Sequence, residues 1–201
     1  MGRITRHNHK WPHGHSKATR RNRAIASSFG VITFESLHPD VPVPQRGTSA
    51  SAGYDLAAYL NGRSVRVWHN GVASERAAVA DNGTWRLELL PGEKALVPLG
   101  FKAQLPPGIE AQVRPRSGTS VKTDLVIANA PGTIDPDYAE EWCVPVKNGG
   151  AGPLTIRHGE RIAQAVFARF EAHDFDAGRV QRTTERAGGF GSTGTATAPP
   201  Q

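Results

Sequence analysis

Short apolar runs, rich in β-branched and aromatic residues, recur along this chain between turns made of Gly and Pro, such as Pro91-Gly92, Pro131-Gly132 and Gly149-Gly150. A spacing of about 8–15 residues between turns is typical of sandwiches, barrels and jelly rolls. We therefore predict an all-β body with a distorted jelly-roll or barrel architecture. A long helical period is missing, and only residues 74–80 are compatible with a short helical turn. The predicted strands cover residues 31–34, 95–99, 110–113, 125–128, 142–146, 154–156 and 162–170.

Residues 61–87 contain two segments that alternate like strands, 65–68 and 84–87. An Asn-Gly dipeptide, which favours a tight hairpin turn, follows the first segment, and another precedes the second. We predict one long protruding hairpin in which Trp68 and Trp85 pack against each other across the strands. As an insertion in the β body, this hairpin is either inert or a contact for a partner.

The net charge of +6 is concentrated at the start of the chain. Residues 1–28 hold seven basic residues and no acidic one, whereas the remainder holds 17 basic and 18 acidic residues. Since this start has no apolar period, we predict a disordered basic arm over residues 1–28. We interpret the arm as a solvated tail or as a weak contact for nucleic acid or another polyanion. Its Arg-rich, acid-free composition also resembles an organelle transit peptide.

The chain of 201 residues is long enough for one well-buried domain with tails. We predict a β body over residues 29–182 and a flexible, polar, Gly-rich segment over residues 183–201. The single cysteine, Cys143, cannot form an internal disulfide and indicates a reducing compartment, so we expect a cytoplasmic protein. Apolar runs stay well short of the roughly 18–20 residues that span a bilayer, so we expect no membrane partner.

Three polar positions in the body could carry chemistry. Asp55 follows Gly53 at a turn or strand start, where it could reach a metal ion or its water, or cap the turn. The sequence Arg116-Ser117-Gly118 supplies a guanidinium, a hydroxyl and free backbone N–H groups, which form either a phosphate cradle or a solvated loop. Gln164, inside an apolar strand, either faces solvent or offers its amide to a ligand.

Two further clusters are more specific. In residues 132–138, Asp135 and Tyr138 follow a Pro-Gly turn, and a tight hairpin there would project both side chains together. In residues 188–194, glycines flank Phe190, so that the ring could stack on a base as the tail closes over a nucleotide. The alternative for that segment is a flexible Gly/Ser tail. Together the clusters supply carboxylates, hydrogen-bond donors for phosphate and a stacking ring, which suits hydrolysis of a nucleotide polyphosphate.

The order and near spacing of these clusters resemble the five motifs of the trimeric dUTPase family, the deoxyuridine triphosphate nucleotidohydrolases. The resemblance covers about residues 31–194, and the strings SAGYDLAA, PRSG, NAPGTIDPDY, GERIAQAVF and GGFGSTG are jointly specific. The five matching segments are residues 51–58, 114–119, 129–138, 159–167 and 186–194.

The resemblance implies hydrolysis of dUTP to dUMP and pyrophosphate, with Mg²⁺ as cofactor. Asp135 would hold and activate the water that attacks the α-phosphorus, and Asp55 would contact the Mg²⁺ through water. An aspartate with an ordinary pKa near 3.9 is a weak base, so positioning and charge neutralisation would supply most of the catalysis. The residues implied to contact the phosphates are Arg116, Ser117, Gly118 and Gln164.

The resemblance also implies how the nucleoside is selected. The hairpin over residues 129–138 would offer backbone donors and acceptors to uracil, and Tyr138 on the sugar would exclude a ribose 2′-OH. Phe190 would stack on the base as part of a lid. Each site would combine motifs from three subunits, so we expect a homotrimer. The other implied substrate-binding residues are Asn129, Gly132, Thr133, Ile134, Arg186, Gly191, Ser192 and Thr193.

Two positions depart from the family pattern: Glu140 stands where the family usually has Gly, and a single residue separates Arg186 from Gly188. Two alternatives use the same fold. One is a dCTP deaminase or a bifunctional relative, which needs a glutamate beside the pyrimidine amine, where this chain has Asp135. The other is a regulatory or nucleic-acid-binding protein acting through the arm or the extra hairpin. The intact carboxylates and the stacking ring favour the hydrolase.

Overall fold

The computed structural model describes residues 30–185. Within them lie 14 strands and one short helix, so the all-β prediction is confirmed. The same residues contain no helix with the length and apolar character that crossing a membrane requires. The strands are β1 (Thr33–Ser36), β2 (Tyr54–Ala57), β3 (Ser64–His69), β4 (Val72–Ala77), β5 (Val79–Asp81), β6 (Thr84–Leu89), β7 (Lys94–Pro98), β8 (Phe101–Gln104), β9 (Ile109–Arg114), β10 (Leu125–Ile127), β11 (Gly132–Ile134), β12 (Cys143–Asn148), β13 (Leu154–Arg157) and β14 (Arg161–Arg169), and the helix is α1 (Ser117–Lys122).

The strands form four antiparallel sheets. The largest has the order β10-β12-β7-β3-β4, and a four-stranded sheet has the order β11-β9-β14-β2. A three-stranded sheet, β13-β6-β5, and the pair β1-β8 complete the set. Most neighbours in these sheets are distant in sequence, as in a jelly roll.

One hydrophobic cluster fills the interior and takes in side chains from all four sheets. Alternation along the strands builds it, because successive side chains of a strand point to opposite faces. In β12, for example, Val144 and Val146 are fully buried, while the alternate residues Cys143, Pro145 and Lys147 are half-buried. Each fully buried Val, Leu or Phe contributes about 1.5–3 kcal/mol. Representatives from the other three sheets are Phe101, Leu56 and Leu87.

The predicted long hairpin over residues 61–87 is wrong. β3 pairs with β4 and β7, whereas β6 pairs with β5 and β13, so Trp68 and Trp85 lie in different sheets and form no cross-strand pair. Val65 of β3 and Leu87 of β6 are buried in the core. Both outer segments are therefore core strands of separate sheets.

The Asn-Gly turns inside this region form as predicted. Asn70 and Gly71 have φ of 49° and 82°, and Asn82 and Gly83 have φ of 47° and 82°. Positive φ at both central residues is the requirement of a type I′ turn, which joins two antiparallel strands directly. Two short hairpins, β3-β4 and β5-β6, result. Residues 74–80, compatible with a helical turn by sequence, are strand residues of β4 and β5 on either side of the buried Ala78.

Candidate active site

Three neighbouring strands of the four-stranded sheet, β9, β14 and β2, bring together three of the motif segments, residues 51–58, 114–119 and 159–167. Gln164 of β14 is paired with Asp55 of β2 on one side and with Arg114 of β9 on the other. A shift of register between Arg161 and Ala163 marks a β-bulge just before this row. Bulges re-aim side chains at the ends of pairing.

Two arginines hold the carboxylate of Asp55. The Nε of Arg116 lies 2.7 Å from Oδ1, and the Nη1 of Arg161 lies 3.0 Å from Oδ2. Arg116 also donates from Nη1 to the carbonyl oxygen of Arg161 at 3.3 Å. These groups line a cavity of about 230 Å³, which we call the cradle. The residues that line the cradle are Gly47, Ser51, Gly53, Asp55, Arg116, Ser117, Gly118, Arg161 and Gln164.

Gln164 is half-buried and lines the cradle, so its side chain does not simply face bulk solvent. Its Nε2 donates to the carbonyl oxygen of Pro115 at 2.8 Å. Gly53 lies beneath this side chain, so that a Cβ at position 53 would come within 3.0 Å of the Gln164 Cδ. The amide is therefore fixed at the wall of the cradle by its bond to Pro115 and its packing over Gly53.

Ser117 and Gly118 begin helix α1, where sequence analysis expected a turn. Both residues are exposed and line the cradle. Backbone N–H groups in the first turn of a helix have no intrahelical acceptor. The hydroxyl of Ser117 and these N–H groups are therefore available to an anion in the cradle.

The oxygen atoms in the cradle suit a hydrated Mg²⁺. The carboxylate of Asp55 and the hydroxyls of Ser51 and Ser117 line it. Mg²⁺ is usually held by one or two carboxylates together with substrate phosphates, rather than by a cage of protein ligands. Residues 30–185 contain no group of three or more His, Cys, Asp or Glu gathered closely enough to hold a metal alone.

The third motif segment, residues 129–138, lies away from the cradle. β11 pairs with β9, whereas β10 pairs with β12, so the predicted tight hairpin over residues 129–138 is instead a passage between two sheets. Gly132 and Ile134 are buried, while Asn129 and Thr133 are exposed. A Cβ on Gly132 would come within 2.8 Å of the Asn129 Nδ2, so the absence of a side chain lets this amide pack closely.

Asp135 and Tyr138 follow β11 on the exposed side of the molecule. The hydroxyl of Tyr138 donates to the carbonyl oxygen of Glu141 at 3.2 Å. Burial is the main cause that raises the pKa of Tyr138, and nearby Cys143 and the acidic residues add to it. The phenol therefore keeps its proton at neutral pH.

The sheet register separates Asp135 from Asp55 of the same chain. Gly132 is in the same row of paired residues as Tyr54, three strands away. Asp135 lies three residues beyond that row in one direction, and Asp55 lies one residue beyond it in the other. With strands about 4.8 Å apart and a rise of about 3.4 Å per residue, the two backbones are roughly 20 Å apart.

Sequence analysis missed two features of the site. Arg161 lies inside the fourth matching segment, residues 159–167, but was given no role there, although a charged residue directly before an apolar run was a signal. An ion pair between Arg63 and Glu141 also supports the segment that carries Tyr138, with Nη2 2.8 Å from Oε2. Nothing local in the sequence predicts that pair, because its members are 78 residues apart.

Several predicted site residues and the basic arm over residues 1–28 lie outside the described residues. The site residues in question are Arg186, Phe190, Gly191, Ser192 and Thr193.

Comparison with known proteins identifies the family. The family model of dUTPase matches residues 84–194. The chain is 41% identical over 162 residues to the deoxyuridine 5′-triphosphate nucleotidohydrolase of Caulobacter vibrioides, covering 77% of this chain and 87% of that protein. It is 39% identical over 172 residues to the protein of the same name from Brucella melitensis, covering 85% and 96%.

Solved structures support the fold. The dUTPase of Staphylococcus bacteriophage 80alpha with dUPNHPP superposes with a TM-score of 0.63 at 23% identity, covering 82% of this chain and 99% of that one. A mutant dUTPase from phage phi11 of S. aureus, whose structure details the coordination of a structural Mg(II) ion, gives a TM-score of 0.59 at 19% identity and covers 77% and 100%. From the family match and the curated relatives together, the chain belongs to the dUTPase family.

Proposed function

We propose that the protein hydrolyses dUTP to dUMP and pyrophosphate, with a water activated by Asp135 attacking the α-phosphorus. Names of relatives at about 40% identity support this substrate and reaction. The observation that carries the proposal is the cradle, where Asp55, Arg116 and Gln164 converge from separate strands and the α1 start. Guanidinium, hydroxyl and backbone N–H donors around one carboxylate are what a metal-bound triphosphate requires.

The cradle positions and neutralises the triphosphate. Ser117, Gly118 and Gln164 donate to phosphate oxygens, and Arg116 adds positive charge while it keeps Asp55 in place. Mg²⁺, when bound with the substrate, offsets phosphate charge and makes the phosphorus more open to attack. Asp55 contacts it through water.

The backbone of the β11 segment recognises uracil by hydrogen bonds. β11 is the edge strand of its sheet, so the outer N–H and C=O groups of its backbone are not used by the ladder. Uracil offers an N–H between two carbonyls, and the backbone from Asn129 to Ile134 can match that pattern. Cytosine would leave buried groups unpaired, which can cost a factor of about 10⁴ or more.

Asp135 acts by holding a water, and Tyr138 by covering the sugar. A carboxylate on an exposed corner is free to accept a proton from water that it orients toward phosphorus. The neutral phenol of Tyr138 presents a flat face that leaves no room for a ribose 2′-OH. Both residues lie on one short segment, which fixes the sugar and the water relative to each other.

The active unit is a homotrimer with shared sites. Reacting atoms must approach to about 3–3.5 Å, whereas Asp135 and the cradle of one chain are roughly 20 Å apart by register. A neighbouring chain must therefore bring its Asp135 segment to the cradle. The last described residues also favour contact with a neighbouring chain, because the apolar side chains of Phe175 and Val180 are 104% and 93% exposed. We propose that this tail carries Phe190 across to close a neighbouring site as a lid.

A pyrophosphate-release assay across dUTP, dTTP, dCTP and UTP, with and without Mg²⁺, tests the proposal. We expect turnover of dUTP alone, and only when Mg²⁺ is present. Ammonia released from dCTP would instead indicate the deaminase alternative. The absence of pyrophosphate with every nucleotide would refute the proposed function.

A further inference from the structure

Each oxygen of the Asp55 carboxylate is bonded to a different arginine. Oδ1 accepts from Arg116 at 2.7 Å, and Oδ2 accepts from Arg161 at 3.0 Å. The carboxylate is 22% exposed, so water only partly screens these contacts. The group that would face Mg²⁺ is thus already neutralised by the protein itself.

The charge of this cluster favours a metal-bound nucleotide over a free metal ion. One carboxylate and two guanidinium groups sum to a single positive charge. A free divalent cation gains one favourable interaction and meets two repulsive ones at short range. A triphosphate with one Mg²⁺ still carries a net charge of about −2, which this cluster attracts.

Arg161 is better placed than Arg116 to leave the carboxylate. The side chain of Arg161 is 59% exposed, against 26% for Arg116. Arg116 makes a second bond, to the Arg161 carbonyl oxygen, while Asp55 is the one side-chain partner that the described residues give to the Arg161 guanidinium. Asp55 and Arg161 also line a second cavity, of about 450 Å³, so the arginine has space to move.

We propose that Arg161 is a further substrate-binding residue that exchanges partners. In the free protein it neutralises Asp55. When the metal-bound triphosphate arrives, the guanidinium moves from Oδ2 to a phosphate oxygen, and Asp55 turns to the water shell of the metal. The inference rests on the proposed function and adds to it an order of events: the carboxylate is exposed to metal only together with substrate.

Two binding measurements on the full chain test the exchange, with Arg161→Gln compared to wild type. Binding of Mn²⁺ alone is followed by electron paramagnetic resonance, and binding of dUpNHpp with Mg²⁺ by calorimetry. Arg157→Gln is the matched control, because Arg157 is exposed and lies outside the cradle. Thermal melts confirm that each variant folds, and Arg161→Lys keeps the charge without the planar fork.

The expected effects of Arg161→Gln have opposite signs. Mn²⁺ should bind about threefold or more tightly, because one repulsive charge is gone. The nucleotide analogue should bind about 10–100-fold more weakly, because a charge-assisted bond to phosphate is lost. For each probe, the affinity of Arg161→Lys should lie between those of wild type and Arg161→Gln. Arg157→Gln should match wild type. The gain in Mn²⁺ affinity should vanish when Asp55→Asn is added, since the two residues act together.

Analogue affinity that is unchanged in Arg161→Gln, while wild type hydrolyses dUTP, would overturn the role of Arg161 and leave the proposed function standing. Tighter binding of both probes would also overturn it, because Arg161 would then only block the site. A wild-type protein that binds no analogue and releases no pyrophosphate would overturn the proposed function itself.

Discussion

The side chain of Gln164 packs directly over Gly53, closely enough that a Cβ at position 53 would lie 3.0 Å from its Cδ and closer still to its Oε1. Gln164 lies in β14 opposite Asp55 of β2, and Gly53 directly precedes β2, two residues before Asp55. The missing side chain at position 53 is therefore what admits the Gln164 amide into the cradle.

Gly53→Ala should damage substrate binding more than stability. The methyl group meets the end of a flexible side chain, which can swing away, so we expect a loss of less than about 1 kcal/mol in the free energy of unfolding. The displaced amide can no longer donate to phosphate, so KM for dUTP should rise about tenfold. Steady-state kinetics and urea unfolding measure the two effects.

Gly152→Ala is the control, because a Cβ there meets open space and Gly152 lies outside the cradle. It should leave KM unchanged. A Gly53→Ala variant with wild-type KM would show that Gln164 does not bind substrate.

Mixed trimers test whether one site draws on two chains. Asp135→Asn removes the proposed base, and Asp55→Asn removes the carboxylate of the cradle, so each variant alone should lose about 10²–10⁴-fold in kcat. In trimers reassembled from equal amounts of both, about a quarter of the sites should pair an intact Asp135 with an intact cradle by chance. Activity should recover to that fraction.

Recovery requires exchange of subunits, so the mixture is unfolded and refolded together, and separately refolded variants combined afterwards are the control. If refolded mixtures stay as inactive as either variant, then one chain supplies both groups, against the sheet register.

The pair of Arg63 and Glu141 should stabilise the segment that carries Tyr138. Its two bonds are 2.8 and 3.3 Å long, and Glu141 Oε1 also accepts from the Gly100 N–H at 2.9 Å. The side chains are only 27% and 20% exposed. Arg63→Gln should therefore cost about 2 kcal/mol of unfolding free energy and weaken the discrimination between dUTP and UTP.

Arg66→Gln provides the comparison, because Arg66 pairs with Glu75 on the surface with exposures of 61% and 54%. Exposed pairs contribute about 0–1 kcal/mol, so this variant should stay near wild type in both measurements. Equal unfolding energies for the two variants would contradict the supporting role of Arg63.

Local sequence signals predicted the elements far better than their partners. The Asn-Gly dipeptides fix φ by backbone sterics alone, and both turns form as expected. The strand over residues 65–68 was also recognised, but alternation does not say which strand pairs with it. The choice of β4 and β7 as its neighbours depends on the whole core.

At the candidate site, too, local signals predicted individual positions better than the contacts between them. Residue type alone left Asp55, Arg116 and Gln164 with two interpretations each, and the motif resemblance singled them out. The structure brings the three side chains together in the cradle. The ion pair between Arg161 and Asp55 was not visible in the sequence, because it depends on a distance between side chains 106 residues apart. The separation of Asp135 from the cradle was implied only by the family resemblance, since it follows from the order of strands in a sheet and not from any local pattern.

Glu93 should make stability depend on pH in the acid range. The side chain is buried, at 3% exposure, and forms two bonds with Arg76 at 2.6 and 2.8 Å. The Leu90 N–H donates to it as well, at 2.8 Å. The bonded guanidinium of Arg76 is the main cause that lowers the pKa of Glu93 below its ordinary value. The folded state therefore binds this proton less readily than the unfolded state does.

The stabilisation from Glu93 is thus fully present above the unfolded pKa of about 4.3 and is lost as pH falls through the lower, folded pKa. At pH 7, Glu93→Gln should cost about 3 kcal/mol, because a partly buried guanidinium loses its counter-charge. The difference between wild type and variant should shrink steadily below pH 4. Urea unfolding from pH 3 to 7 measures this difference. The protein concentration is held fixed, because any assembly of chains makes stability depend on concentration. Glu75→Gln, in an exposed pair, should give a small difference at every pH, and a Glu93→Gln difference that stays constant down to pH 3 would contradict the assignment.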